Sequence, residues 1–453
     1  MLKRSKNLLY IVRMNTQMEL KIGFVCNEYF HFNEVNDDLK PSNVHGGFGF
    51  LTRTKAEYLA RMGCDVHVFI PSINFGENKN YSLEINKVNV HAYMTKENKS
   101  NFIGKALREL RGLQENKYLE SYLQEIRPDI LQSEDTPPAD ILIKKNISIP
   151  FVMVFQDPFD SYDVNLLLDS ENSYLQIPKS GILGYQLKPE NYHFKNKFLV
   201  DIANKKNFLK PMSNFIRNSK NIRIFSEAKL ISEKAKKMFY LPSAPEILLN
   251  PIDVLDLKRK KYDEPTIVWV ARWDPQKRPD MALLIAKQLP QFKFIMIGTA
   301  NRNSSHYEVV EEYLKRQFSD LKNLKILGFI SEDKKREIIG RSWALLNTSI
   351  REGLPITFLE ALAEGTPIVS YVDPDQYVSK FGIKTRSYTV ENFVEAIRNI
   401  IKDERFVDIG STSIPFIKEN HEATVVMNRH LKIYKEILSN SELNRGLCVE
   451  MKK

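Results

Sequence analysis

The chain has only three cysteines in 453 residues, Cys26, Cys64 and Cys448, with neither paired spacing nor a metal motif. That scarcity argues against a disulfide-stapled secreted scaffold and makes a reducing cytoplasm the expected location. No apolar run approaches a membrane span; the longest are strand-length. Repeats, low-complexity tracts and coiled-coil heptads are missing. Acid is missing from the first eighteen residues, which hold Lys3, Arg4, Lys6 and Arg13. Their apolar stretch "LLYIV" is too short for a signal-peptide core. We read 1–18 as a basic tail or as an upstream start codon, since Met14 and Met18 both precede the first strand. No segment concentrates the net charge of +10. It is spread over both halves of the chain, which argues against a dedicated nucleic-acid surface. It remains compatible with anionic substrates or an anionic membrane face.

What is present is a globular composition, 43% hydrophobic and 27% charged, in a chain too long for one ordinary core. Strand-like runs alternate with helical patterns. "LKIGFVCN" (20–27), "GFGFLTRTKAEYLARMG" (47–63) and "DVHVFIP" (65–71) read as strand, helix, strand within about fifty residues, which implies a parallel sheet covered by helices. The pattern recurs through "LQEIRPDILQS", "IPFVMVFQD" and "NIRIFSEAKLISEKAKKM". A proline-rich, charged connector follows, and then a second alternation from "TIVWVARWD" to "PIVSYVD". The expected division is a tail at 1–18, a first Rossmann-like domain at 19–250 and a linker at 251–262. A second Rossmann-like domain at 263–413, a helix at 414–440 and a tail at 441–453 complete it. Two such doubly wound domains bind ligand in the cleft between them, at the carboxyl ends of both sheets.

Four loops at such ends carry candidate chemistry. In "VHGGFGFLT", Gly46, Gly47 and Gly49 precede a helix, so bare amides can approach an anion there; a tight loop needing positive φ is the plainer reading. In "VARWDPQKRPD", Arg272 ends a strand and Lys277 follows five positions later, two fixed cations suited to a diphosphate. Arg278 reads as a solvated charge. In "REGLPITFLEALAEGTPIV", Glu352 precedes a Gly353-Leu354-Pro355 turn at a helix start, where backbone amides can hold phosphate. Pro355 suits the first turn and Gly365 the stop. Glu360 lies inside an apolar helix, where a lone carboxylate is costly unless paired. It accepts two ribose hydroxyls, pairs with a neighbouring arginine or caps a backbone group. In "VFQDPFDSYD", Gln156, Asp157 and Asp160 stand at a strand end, as polar ligands or as ordinary turn chemistry.

Taken together and in this order, these elements resemble the retaining glycosyltransferases of the GT-B fold, specifically glycosyltransferase family four, over about residues 19–440. "EGLPITFLEALAEGTPIV" matches the family's pair of glutamates seven residues apart through Glu352 and Glu360. "WVARWDPQKRPD" is similar to its Arg/Lys segment through Arg272 and Lys277, and Gly46-Gly47 to its N-terminal glycine loop. Asn250 and Asp253 fall in its Asn-Gly-x-Asp element, with Pro251 in place of the glycine.

The resemblance implies an α/β protein of GT-B architecture, with the last helix crossing back onto the first domain. It implies transfer of a hexosyl group from a nucleotide diphosphate sugar, of UDP or GDP type, to a hydroxyl with retention, in polysaccharide or glycolipid assembly. Arg272 and Lys277 would hold the diphosphate and Glu360 the ribose. Glu352 would contact the donor sugar, with Gly353, Leu354 and Pro355 at the helix start. Gly46 and Gly47 would approach phosphate or acceptor. No metal or further cofactor is implied, because fixed cations and helix-end amides supply the electrostatics. Gln156-Asp157 stands where the family has His-Asp, so the sugar contact at Gln156 loses a titrating group. For the acceptor, 191–225 interleaves eight basic residues and five phenylalanines with Asp201 as its only acid. That segment suits a carbohydrate or lipid-linked acceptor, or peripheral contact with the inner membrane face; a lysine-rich solvated helix is the plainer reading. The competing readings are a phosphorylase or sucrose-synthase-like enzyme of the same fold, and a degenerate, non-catalytic binding partner.

Overall fold

The computed structural model describes residues 20–26, 29, 47–72, 79–94, 117–134, 149–156, 222–255, 259–300 and 305–450. Side chains are described within these except at 47, 48, 117, 305, 306, 403 and 441–450. The first sheet comprises β1 (Lys21–Val25), β2 (Asp65–Pro71), β3 (Tyr81–Ile85), β4 (Val88–Tyr93), β5 (Ile130–Ser133), β6 (Phe151–Phe155), β7 (Ile222–Ser226) and β8 (Glu246–Ile247). Their order is β3-β4-β2-β1-β5-β6-β7-β8, parallel except for the β3–β4 pair. The inner strands are near-continuous apolar runs because both faces are covered. The β3–β4 hairpin escaped the sequence reading, although Tyr81, Leu83 and Ile85 alternate with polar residues. Asn86 and Lys87, at φ 49 and 65, make its tight turn.

The second sheet comprises β9 (Thr266–Val270), β10 (Lys293–Ile297), β11 (Leu324–Gly328), β12 (Ala344–Asn347), β13 (Ile368–Ser370) and β14 (Gly382–Lys384). All are parallel, in the order β11-β10-β9-β12-β13-β14. This mixed α/β chain with two sheets is the expected GT-B architecture.

Helices cover both sheets. On the first lie α1 (Gly47–Arg61), α2 (Lys117–Ile126) and α3 (Lys229–Phe239). On the second lie α4 (Pro279–Gln288), α5 (Ser305–Gln317), α6 (Glu332–Arg341), α7 (Ile356–Ala363), α8 (Tyr377–Phe381) and α9 (Val390–Ile401). Then α10 (Arg405–Asn420) breaks at His421, and α11 (Ala423–Glu450) follows. Val426, Met427, Ile433, Tyr434 and Ile437 of α11 share one apolar cluster with Ile22, Val66, Val90 and Leu59 of the first domain. The chain therefore returns to the sheet it started from.

Part of the charged connector lies against the second domain. Lys261 sets its ammonium on the carbonyl of Ser342 at 2.8 Å and the Thr366 hydroxyl at 2.8 Å, beside the ends of α6 and α7. A cation there meets the negative end of both helices. Burial lowers its pKa to about 8, with Glu364 opposing the drop. Arg259 pairs with Glu364 at 2.9 Å.

The carboxyl ends of the two sheets meet. Glu227, just after β7, accepts the backbone N–H of Leu354 at 2.7 Å. In return Asp375 of the second domain accepts the amides of Lys229 and Leu230, at 2.6 and 2.9 Å, capping α3.

Candidate functional site

Adjacent parallel strands deliver the candidate cations and acids to one place. β9 and β12 pair directly, so the loops beyond them are neighbours. On the β9 side, the amides flanking Arg272 are tied to the end of β10: Ala271 N–H donates to Ile297 O at 3.2 Å and Trp273 N–H to Thr299 O at 3.0 Å. Gly298, at φ +118, permits this approach; a Cβ there would meet the Ala271 carbonyl oxygen at 1.9 Å. Arg272 itself projects outward. Its side chain is 42% exposed, and its ion pair with Asp274 is loose at 3.4 Å.

Lys277 turns the other way. Its ammonium bonds both oxygens of Glu352, at 2.7 and 2.8 Å. An ammonium has three donors, so one remains for a ligand. Asn347, the last residue of β12, also donates to Glu352 at 3.3 Å. Burial pushes the Glu352 pKa up, but the Lys277 charge together with hydrogen bonds from Lys277, Ser349 and Asn347 holds the group below its ordinary value. The two loops are further braced. The Thr348 hydroxyl donates to Lys277 O at 2.7 Å and accepts the Trp269 indole N–H at 2.9 Å. Ile350 N–H reaches Gln276 O at 3.0 Å. Arg278, expected to be solvated, is instead half-buried and grips Asp280 at 2.7 Å, with its guanidinium over Tyr388. Its backbone is left-handed, φ 50.

Beyond Glu352 the chain passes Gly353 and Leu354 to Pro355, which stands at the cap of α7, one place before its first turn. The helix start leaves first-turn amides without intrahelical acceptors, and the Leu354 amide is already given to Glu227. Gly365, at φ +66, stops the helix as expected.

Glu360 is buried on α7, and its partner is a lysine rather than an arginine. Lys335 of α6 bonds Glu360 Oε1 at 2.7 Å and Glu332 at 2.8 Å. Glu360 Oε2 has no hydrogen-bond donor among the described residues. Burial pushes the Glu360 carboxyl up to about 7; Lys335 opposes this and Glu332 adds to it. Phe50 of α1, in the first domain, lies 5.6 Å from the Lys335 ammonium.

Gln156 is buried among first-domain polar groups. It donates to Glu134 at 2.7 Å and accepts from Asn250 at 2.9 Å. Lys55 of α1 joins them, 2.6 Å from Glu134 and 3.3 Å from the Asn250 amide oxygen. Asn250 also donates to Glu227. Gly47 opens α1, while Gly46, Asp157, Asp160 and residues 191–221 of the basic aromatic segment lie outside the described residues. Arg272, Lys277, Glu352 and the start of α7 thus come together, with Glu360 farther along the same helix; Gln156 reaches this group through Asn250 and Glu227.

The sequence reading missed Lys55, Glu134, Glu227, Lys335 and Asp375. One of them was detectable: Lys55 sits between Leu51 and Leu59 at helical spacing, a charge in an apolar stripe like Glu360. Among the described residues no helix is long and apolar enough to cross a membrane.

Residues 256–411 match the family model described as Glycosyl transferases group 1. A poly(glycerol-phosphate) alpha-glucosyltransferase of Bacillus subtilis is 26% identical over 189 residues, 39% of this chain. The matched stretch spans about a quarter of that relative's length, 26%. Among solved structures, sucrose-phosphate synthase from Thermosynechococcus elongatus aligns at TM-score 0.65 with 10% identity, covering 93% of this chain and 100% of that one. HepE of Anabaena, solved with UDP and glucose, aligns at TM-score 0.60 with 12% identity, covering 92% of this chain and 100% of that one. At these identities the structures establish the fold. With the family match they support a GT-B glycosyltransferase.

Proposed function

We propose that the protein is a retaining glycosyltransferase that moves a hexosyl group from a nucleotide diphosphate sugar to an acceptor hydroxyl. One observation carries the reading: Lys277 is locked on Glu352 at the ends of neighbouring strands, with Arg272 exposed beside them. A diphosphate placed there meets the Arg272 guanidinium, the remaining Lys277 donor and the amides that open α7. The sugar lies toward Glu352 and the ribose toward Glu360.

In the reaction the bond from the anomeric carbon to the diphosphate breaks, and the nucleoside diphosphate leaves with the electron pair. The acceptor oxygen bonds the same face of that carbon, and its proton passes to a donor phosphate oxygen. Arg272 and Lys277 stabilise the charge that develops on the leaving group, which is where fixed donors act most strongly. No metal is assigned a part in this scheme.

The Bacillus relative is named for alpha-glucosyl transfer to poly(glycerol phosphate). A polyanionic acceptor accords with the chain's net charge of +10. Transfer in polysaccharide or glycolipid assembly, on the inner membrane face, is the setting we favour.

The test is release of UDP, GDP or ADP from a panel of nucleotide hexoses, with and without glycerol-phosphate and oligosaccharide acceptors. One donor should be turned over, and Arg272→Ala should lower the rate at least 100-fold. The anomeric proton coupling of the product should match that of the donor. Turnover surviving in Arg272→Ala, or an inverted product, contradicts the reading.

A further inference from the structure

Glu227 belongs to the first domain but touches the loop that the second domain offers to the donor. It is buried, and each of its oxygens has a named task. Oε1 takes the Leu354 N–H at 2.7 Å, and Oε2 takes the Asn250 amide. Behind Asn250 stand Gln156, Glu134 and Lys55, all buried and hydrogen-bonded to one another. This is a satisfied polar network with a single orientation, the kind that fixes geometry. Its charged members are Lys55, Glu134 and Glu227. Glu227 sits at the start of two helices, immediately before α3 and opposite the turn that opens α7. The positive ends of both helices favour a carboxylate there.

The geometry points to Glu227 as a positioning residue for the donor: it sets the Gly353–Leu354 peptide, and with it Glu352 and the opening amides of α7, from across the domain interface. This rests on the donor-binding reading given above. The peptide unit is planar, so a hydrogen bond to the Leu354 N–H restrains the Gly353–Leu354 peptide as a unit against the first domain. The donor site is then complete only when the two domains are together.

Asp375 provides the control. It also bridges the domains, through Lys229 and Leu230, but it caps α3 and, among the described residues, has no hydrogen bond or ion pair to the 352–360 segment. A residue that merely clamps the domains should behave as Asp375 does.

The experiment is titration calorimetry of UDP, GDP and ADP with the whole chain, followed by the tightest of the three with variants. Thermal midpoints are read in parallel. Glu227→Ala should weaken that nucleotide at least tenfold. Glu227→Gln keeps an acceptor for Leu354 but sets a donor against the Asn250 amide, so it should recover part of the affinity and bind more tightly than Glu227→Ala. Asp375→Ala should lower the thermal midpoint and leave affinity within twofold. The inference is overturned if Glu227→Ala binds within twofold of the parent, or if Asp375→Ala loses as much affinity as Glu227→Ala. If the parent binds none of the three nucleotides, the donor reading itself falls and this inference falls with it.

Discussion

The ammonium of Lys335 lies 2.7 Å from one oxygen of Glu360, so the carboxylate inside the apolar helix is answered by a cation of the protein itself. Glu332 shares that cation at 2.8 Å. On the donor reading, a ribose either takes Glu360 Oε2, which has no donor among the described residues, or displaces Lys335 from Oε1. Lys335 keeps its bond to Glu332 if it moves.

This arrangement has a pH signature. Burial, with Lys335 opposing and Glu332 adding, raises the folded Glu360 pKa to about 7 from an ordinary 4.5. The folded state therefore binds the proton more tightly than the unfolded chain. The stability tied to this group is present below pH 4.5 and lost as pH rises to about 7. Its size is on the order of 3 kcal/mol. Glu360→Gln should flatten the fall in thermal midpoint over that window. An unchanged slope contradicts the assignment.

Lys277 and Glu352 should separate stability from turnover. Lys277→Met leaves Glu352 buried without its charge partner and should cost about 3 kcal/mol of stability. Lys277→Met with Glu352→Gln should recover most of that stability but none of the activity. Arg272→Ala, an exposed side chain, should lower turnover while leaving the thermal midpoint within a degree or two. Denaturant melts and initial rates on the same preparations check all three.

How far the sequence revealed this follows from the kind of signal each residue gives. Strands such as β2 and β9, and the stop at Gly365, were legible because burial and turn geometry leave local patterns. Arg272, Lys277 and Glu352 were legible because charges at strand ends are conspicuous. Arg278 read wrongly because its Asp280 partner and left-handed backbone are decided by folding. Lys335 was illegible because it sits in "SEDKKREIIGR", where its neighbours are equally charged and only the packing of α6 on α7 selects it. Glu227 meets Leu354 across 127 positions, and no local pattern reports such a contact.

His421 should stay neutral well below the usual histidine range. It sits where α10 gives way to α11, bonding Asn250 O at 2.8 Å and the Tyr377 hydroxyl at 2.6 Å. The carbonyl accepts, so Nδ1 carries the proton and Nε2 accepts from Tyr377. Burial lowers its pKa to about 4, with the Asn250 carbonyl opposing the shift. The stability it contributes is present above pH 6.5 and lost as pH falls toward 4. Carbon-13 NMR of labelled imidazoles should show one ring titrating near 4 that His421→Gln removes; a midpoint near 6.5 for that ring contradicts the placement.

Metal removal should leave turnover unchanged, since the proposed charge neutralisation is assigned to Arg272, Lys277 and helix-start amides. Rates measured with excess EDTA and with added magnesium check this. A rate that requires magnesium contradicts the assignment.

The central claim is that the joined loops after β9 and β12, with α7, bind a nucleoside diphosphate. Calorimetric titration of the intact protein with UDP, GDP and ADP, repeated with Glu360→Ala, tests it most directly. One nucleotide should bind in the micromolar range or tighter, and the variant should lose at least tenfold. Absence of binding by all three to a folded protein would contradict the claim and leave Glu360 as a structural partner of Lys335.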